Sequence, residues 1–315
     1  MISCTAGGLW RRLRGSTMAT VHSVREFMRL ILGRSTDPDY VVAYRGLSDH
    51  NYTLQPSVFR ELINREQEHV LLRELIAAHP DEFAADETAL EQLVRMQHYA
   101  LPTRLLDVSW NPLVALYSAP QENKQRKDVI RSGKRMRRTI RMSGDVAILT
   151  VPKRNVRYFD SDTVSCVANL ARLNWDLKQK INTGLNQDVF NGDLPIRRLV
   201  HFIRQENYQF EPEIVPTDLD GIILVKPKLN NKRIMAQNGA FFVFGMIHEI
   251  DEPNKLGIKI ERIRISQRSK KSRIVAELDK LNINEKTLFP EIERAARYLA
   301  SNLQNALVST VLSKT

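Results

Sequence analysis

A chain of 315 residues lies near the upper edge of what one hydrophobic core supports, so one large domain with an appendage and two small domains both fit its length. Its 43% hydrophobic and 26% charged residues exclude general disorder, and no run approaches the roughly 18 consecutive apolar residues of a membrane-spanning helix. The net charge of +11 is unevenly spread: nine basic residues against one acid, Asp128, lie between Lys124 and Arg141.

The N-terminus carries Arg11, Arg12 and Arg14 without an apolar core, unlike a secretory signal. Residues 1–20 are expected to be a leader outside the fold, with Met18 as a second candidate start. Two cysteines, Cys4 and Cys166, make neither a disulfide framework nor a metal motif, which suits a reducing, cytoplasmic compartment.

Along the chain, His22–Leu32 has helical apolar spacing and stops at Gly33. Tyr40–Tyr44 is β-rich and runs into Arg45-Gly46. A long helix is expected over Phe59–Ala78, a second over Ala89–Tyr99, and a strand over Leu101–Ser109. Asn111-Pro112 opens a short helix, since Pro suits a first turn. The basic stretch, residues 122–142, is expected to be a loop. Strands are expected at Asp145–Val151, Gly221–Val225, Ala240–Met246 and Ile258–Ile265, and helices at Ser161–Lys180, Asp193–Asn207, Ser269–Leu281 and Phe289–Val311. Strands and helices alternate without a regular βαβ rhythm, so the pattern predicts an α+β fold: a mixed sheet core with surrounding helices and a helical C-terminus. Residues 21–266 would form the main domain, and 267–315 a helical extension packed on it.

Common phosphate-loop, dinucleotide and zinc-protease motifs are absent from the sequence, and no metal site is expected. The densest polar cluster is Met96–Ser109, MQHYALPTRLLDVS. Strand alternation would put Thr103, Leu105, Asp107 and Ser109 on one face and Arg104, Leu106 and Val108 on the other. Thr, Asp and Ser in register suit the wall of a polar cleft. For Arg104 and Asp107 a structural ion pair is the favoured reading, and for His98 a structural role. Arg45 ends an apolar strand and is followed by a glycine, so its guanidinium can either hold a phosphate or ribose hydroxyl or bridge two core elements. The basic stretch is either a solvated loop or a footprint for phosphate backbones, with Lys134, Arg135, Arg137 and Arg138 at its centre.

Several of these residues resemble, in order and spacing, the FRG-domain signature. They are Tyr44-Arg45-Gly46, Pro56-Ser57 with Arg60, Gln97-His98-Tyr99 leading into the PTRLLD run 102–107, and Asn111-Pro112-Leu113. Arg233, Gln237, Gly239 and Phe241 extend the resemblance. Ala100 stands where the family commonly has glycine, Val108 where it has an aromatic, and Ser118 where it has Phe. The element order of the family is similar to that of ADP-ribosyltransferases, which implies a sheet core of that type and NAD as substrate. Arg45, with Tyr44, Gly46, His98 and Arg104, would then bind NAD. Thr103, Asp107 and Ser109 would order or charge the nicotinamide side, and Gln237 would stand where a catalytic Glu usually acts, with Glu249 another source of negative charge. The family further implies a toxin or antiphage effector, an inhibitory antitoxin partner, and a macromolecular acceptor, RNA or protein. The alternative expectation is a catalytically silent basic module that binds nucleic acid or a partner.

Overall fold

The computed structural model describes residues 19–35, 37–120, 124–131, 134–141, 143–251, 256–266 and 271–290. The expected helix over Phe289–Val311 and most of the leader lie outside them. The fold is mixed α/β, with ten strands and 14 α-helices among the described residues. The strands are β1 (Thr20–Val21), β2 (Tyr40–Leu47), β3 (Leu105–Ser109), β4 (Lys124–Arg131), β5 (Lys134–Arg141), β6 (Asp145–Pro152), β7 (Val156–Tyr158), β8 (Ile222–Lys226), β9 (Gly239–Phe244) and β10 (Lys259–Ile265). Eight of them form one sheet in the order β1-β10-β6-β2-β3-β9-β8-β7. The pairs β1–β10 and β7–β8 are parallel and the others antiparallel.

Three apolar clusters follow from strand alternation. On one face, Leu105, Ile223, Val225, Phe241 and Val243 pack under the helices Glu68–Ala78, Ala89–His98, Asp162–Asn169 and Leu194–Ile203. On the same face further along the sheet, Val146, Ile148 and Ile263 pack under the helices Val24–Leu32, Pro112–Ser118 and Lys271–Asp279. The C-terminal residues Ile274, Leu278 and Leu288 belong to that second cluster. Ala43, Leu106, Val108, Leu149, Leu224 and Phe242 point the other way, against Leu54, Phe59 and Trp110.

The sheet is closed unevenly. β6 pairs with β2 over eight residues and β3 pairs with β9 over five, whereas β2 and β3 share a single pair, Tyr44 opposite Ser109. Beyond it the strands diverge, and the Arg45 guanidinium crosses the opening to donate to the main-chain carbonyl of Asp107. That carbonyl accepts from a side chain where a continued ladder would supply a backbone N–H.

Several expectations are corrected. The long helix over Phe59–Ala78 is three pieces, a 3-10 turn at Ser57–Phe59 and helices at Leu62–Glu66 and Glu68–Ala78. The break lets Glu68 begin a helix with its carboxylate turned into the interior. Ser161–Lys180 is also divided, into helices at Asp162–Asn169 and Trp175–Lys178 with a 3-10 turn between. The basic stretch is not a loop: β4 and β5 form a two-stranded antiparallel sheet of their own.

Arg104 does not pair with Asp107. It is 1% exposed and forks onto Glu68, with Nε and Nη2 donating at 2.8 and 2.5 Å, while Nη1 donates to the carbonyl of Phe244 at 2.9 Å. Lys178 Nζ donates to the same carboxylate at 2.6 Å. A guanidinium so enclosed is a structural tie, not a ligand for NAD. Gly46 is likewise committed to packing. A Cβ there would lie 2.1 Å from the carbonyl oxygen of Ala115 and 2.8 Å from the backbone nitrogen of Ala119. The glycine admits the backbone of helix Pro112–Ser118 and faces no ligand space.

Candidate functional site

Two helices and the end of β3 bound a cleft on the face that carries Asp107. The first, Ala89–His98, is fixed by a capping box: Thr88 Oγ1 accepts from the Glu91 N–H, and Glu91 accepts from the Thr88 N–H. The second, Lys232–Gln237, starts at Asn231, whose side-chain oxygen accepts from the N–H of Arg233 at 2.8 Å. It ends at Asn238 in the left-handed conformation, φ 46°, which Asn tolerates better than most residues.

Ser109 couples β3 to this second helix. Its hydroxyl donates to the carbonyl of Gln237 at 2.6 Å and accepts from the N–H of Asn111 at 3.0 Å. The Trp110 N–H donates to the carbonyl of Asn238 at 2.9 Å. Ser109 is therefore a buried brace whose hydroxyl is already engaged. Thr103 is similar: it is fully buried, and its hydroxyl donates to Gln97 Oε1 at 3.1 Å.

The cleft encloses about 340 Å³, lined among others by Glu91, Arg95, His98, Phe159, Lys228, Lys232 and Arg233. A narrow recess of about 40 Å³ continues from it, bounded by Gln97, His98, Asp107, Arg233, Gln237 and Phe241. Three residues singled out from the sequence, His98, Asp107 and Gln237, thus meet in one recess. Tyr44 and Arg45 do not line it. Arg45 lies behind the recess, reaching it only through the Asp107 carbonyl, and Tyr44 lines a separate open groove beside Arg34 and Glu261. Glu249 is not among the lining residues.

Charge around the cleft is partly committed. Arg95 grips Asp86 at 2.6 and 2.8 Å, and that hydrogen bond raises its pKa further. Lys228 is 3.0 Å from Glu91, lies 5.1 Å from the centre of the Phe159 ring, and is held protonated by the carboxylate. Arg233 stacks over Phe289 at 5.0 Å. Gln237 Nε2 donates to the carbonyl of Leu288 at 3.1 Å, so the C-terminal segment Asn284–Pro290 forms part of the cleft rim. On the other side of β3, burial lowers the pKa of Arg45, opposed by the nearby Asp107 carboxylate and reinforced by Arg60. Arg45 Nε is buried and has no hydrogen-bond partner among the described residues.

Sequence reasoning misses Asn231, Lys228, Lys232 and Phe159, and it reaches Arg233 only as part of a spacing. Arg233 and Gln237 are four apart on a helix and so share a face, a signal the sequence does carry. The approach of Phe159 and Lys228 is set by the β7–β8 pairing, which no local pattern encodes. Among the described residues no group of His, Cys, Asp and Glu is arranged to hold a metal ion, and no helix is long and apolar enough to cross a membrane.

Compared with known families, residues 41–128 match the model described as FRG domain. The match runs from β2 through β3 into β4 and includes Arg45, His98, Arg104 and Asp107. Neither the curated proteins nor the solved structures give a significant match to the chain.

Proposed function

We propose, from the premise that this is an FRG-domain protein, that it transfers ADP-ribose from NAD to a macromolecule, with chemistry in the cleft that ends at Asp107. The observation that carries the reading is the recess itself. A carboxylate, a carboxamide and an imidazole converge there beneath a rim that supplies Lys232 and Arg233.

Each residue type fits a step. Lys232 and Arg233 are suited to the pyrophosphate, which a guanidinium binds with directed hydrogen bonds. Phe159 offers a flat apolar wall to a ring. The bond between ribose C1′ and the nicotinamide nitrogen breaks, the electron pair leaving with nicotinamide, and positive charge develops on the ribose. Asp107, on the wall of the recess, stabilises that charge. Gln237 and Ser109 fix the end of β3, and His98 accepts the proton that the attacking nucleophile loses. Arg45 holds β3 from behind, so in this reading the phosphate contact that its motif suggests passes to Arg233. A toxin or antiphage effector restrained by an inhibitory protein is the setting the family resemblance suggests.

The test is to incubate purified protein with NAD labelled in the ADP-ribose half, together with RNA, DNA and protein fractions, beside an Asp107→Asn control. Label in a macromolecular fraction that depends on Asp107 supports transfer and identifies the acceptor. Free labelled ADP-ribose alone makes the reaction a hydrolysis. Intact NAD in the presence of folded protein would sink the reading. It would favour the second one, a binding module, for which the separate basic strand pair β4–β5 is the supporting feature.

A further inference from the structure

Among the described residues the β4–β5 ribbon pairs only within itself and is not part of the eight-stranded sheet. Isolated two-stranded ribbons are marginal in water, and this one has an added penalty. Its register sets Lys124 opposite Arg141, Lys127 opposite Arg138, and Arg131 opposite Lys134. Directly opposed like charges destabilise a strand pair. Three such pairs against a single opposite-charge pair, Asp128 opposite Arg137, leave the ribbon better served by negative charge from elsewhere.

The register also determines where that charge must lie. Alternation divides the ribbon into two faces. One carries five cations and Asp128, and the other four cations and no acid, so each face is net +4. An acidic protein surface or a membrane would neutralise one face and leave the other bare. Two walls of negative charge, one on each side of the ribbon, neutralise both.

We propose that β4–β5 is an arm that enters the major groove of duplex DNA, where phosphates line both walls. That groove admits a two-stranded β-ribbon. The corresponding groove of duplex RNA is too narrow for side chains to read. Single strands are gripped chiefly by stacking on aromatic side chains, and the sequences KQRKDVIR and KRMRRTIR contain none. Eight residues per strand extend about 27 Å, enough to follow the groove over most of a helical turn. With no Asn or aromatic and a single Gln, the arm binds through phosphates and without strong sequence preference. The inference stands apart from the cleft and holds whether or not NAD is the substrate.

The full chain is titrated into a fluorescent mixed-sequence DNA duplex over a range of salt, with single-stranded RNA and polyglutamate compared in parallel. Arg137→Gln and Arg138→Gln, neighbours on opposite faces, are tested singly and together, with thermal melts to confirm folding. Duplex DNA is expected to bind tightest. Each single variant should weaken binding about tenfold at 0.1 M salt and reduce the salt slope by about 0.9, and the double variant should lose both. Backbone amides of β4 and β5 should gain protection from hydrogen exchange when the duplex is added. A loss confined to one face would mean a surface patch and overturn the groove model. Equal or tighter binding of RNA or polyglutamate would overturn it too, as would binding indifferent to both variants. None of these outcomes depends on NAD turnover.

Discussion

Arg45 donates to the main-chain carbonyl of Asp107 across the opening between β2 and β3, while the Asp107 carboxylate faces the recess on the other side of the sheet. The guanidinium is half-buried, desolvated and crowded by Arg60, and its Nε lacks a partner among the described residues. An arginine kept in such surroundings is poorly explained by stability.

That relationship sets the first prediction. Arg45→Met removes a bond to the Asp107 carbonyl but also removes a desolvated charge. Each effect is worth about 1–3 kcal/mol with opposite sign. Urea denaturation should therefore find stability within about 1 kcal/mol of the parent. NAD turnover should fall sharply, because β3 loses the tie that fixes Asp107. Full turnover in a stable variant would remove Arg45 from the site.

Glu68 sets the second. Two cations, Arg104 and Lys178, share its buried carboxylate and, against burial, lower its pKa to about 2. The folded pKa is below the unfolded one, so Glu68 contributes stability above the ordinary carboxylate pKa. That stability drains away as pH falls from about 4.5 toward 2. Burial lowers Lys178 to about 8, only partly opposed by Glu68. The unfolded chain then binds the extra proton between about 8 and 10.5, and this group makes stability rise with pH over that window. Glu68→Gln strands two buried cations and should cost about 3–5 kcal/mol in urea denaturation at neutral pH. A loss below about 1 kcal/mol would show that water reaches the triad.

Two backbone positions should respond in opposite directions. Ala100 has φ 63°, the left-handed region in which a Cβ costs about 1–2 kcal/mol. Ala100→Gly should therefore stabilise the fold by about 1 kcal/mol, read as a higher urea midpoint with unchanged slope. Gly46→Ala drives a Cβ into the backbone of helix Pro112–Ser118 and should destabilise by about 3 kcal/mol. A neutral Gly46→Ala would mean that the helix can retreat from β2.

Ala100 also shows what a sequence can reveal. It stands directly after a helix, where the resemblance leads to the expectation of glycine, and that is where the backbone turns left-handed. β6 and β8 are legible because apolar runs bounded by Gly and Pro have few other solutions, whereas the strands expected at Tyr40–Tyr44 and Leu101–Ser109 span Tyr40–Leu47 and Leu105–Ser109. Arg104 is not legible. Its partner Glu68 lies 36 residues before it, and Lys178, which shares that carboxylate, 74 after it, so local pattern can suggest only Asp107. The basic stretch reads as a loop because charge suppresses the apolar alternation that announces a strand. His98, Asp107 and Gln237 share one recess, whereas the sheet lies between them and Arg45, a separation that motif spacing does not encode.

Gln237 offers the sharpest test of the proposed chemistry. Its carboxamide donates to Leu288 and lines the same recess as Asp107. If charge on the ribose limits the reaction, a second carboxylate should help, and Gln237→Glu should raise NAD turnover by about tenfold. Two carboxylates in one recess also repel each other, so one should titrate above the ordinary carboxylate range. The gain should then appear only as pH rises through that raised pKa, and a turnover–pH profile of the variant against the parent reads it directly. The substitution also ends the bond to the Leu288 carbonyl, which Gln237→Met ends without adding charge. If both variants lose turnover equally, Gln237 acts by holding the C-terminal segment and not through charge. A pH-dependent gain confined to Gln237→Glu would place the residue beside the reacting sugar.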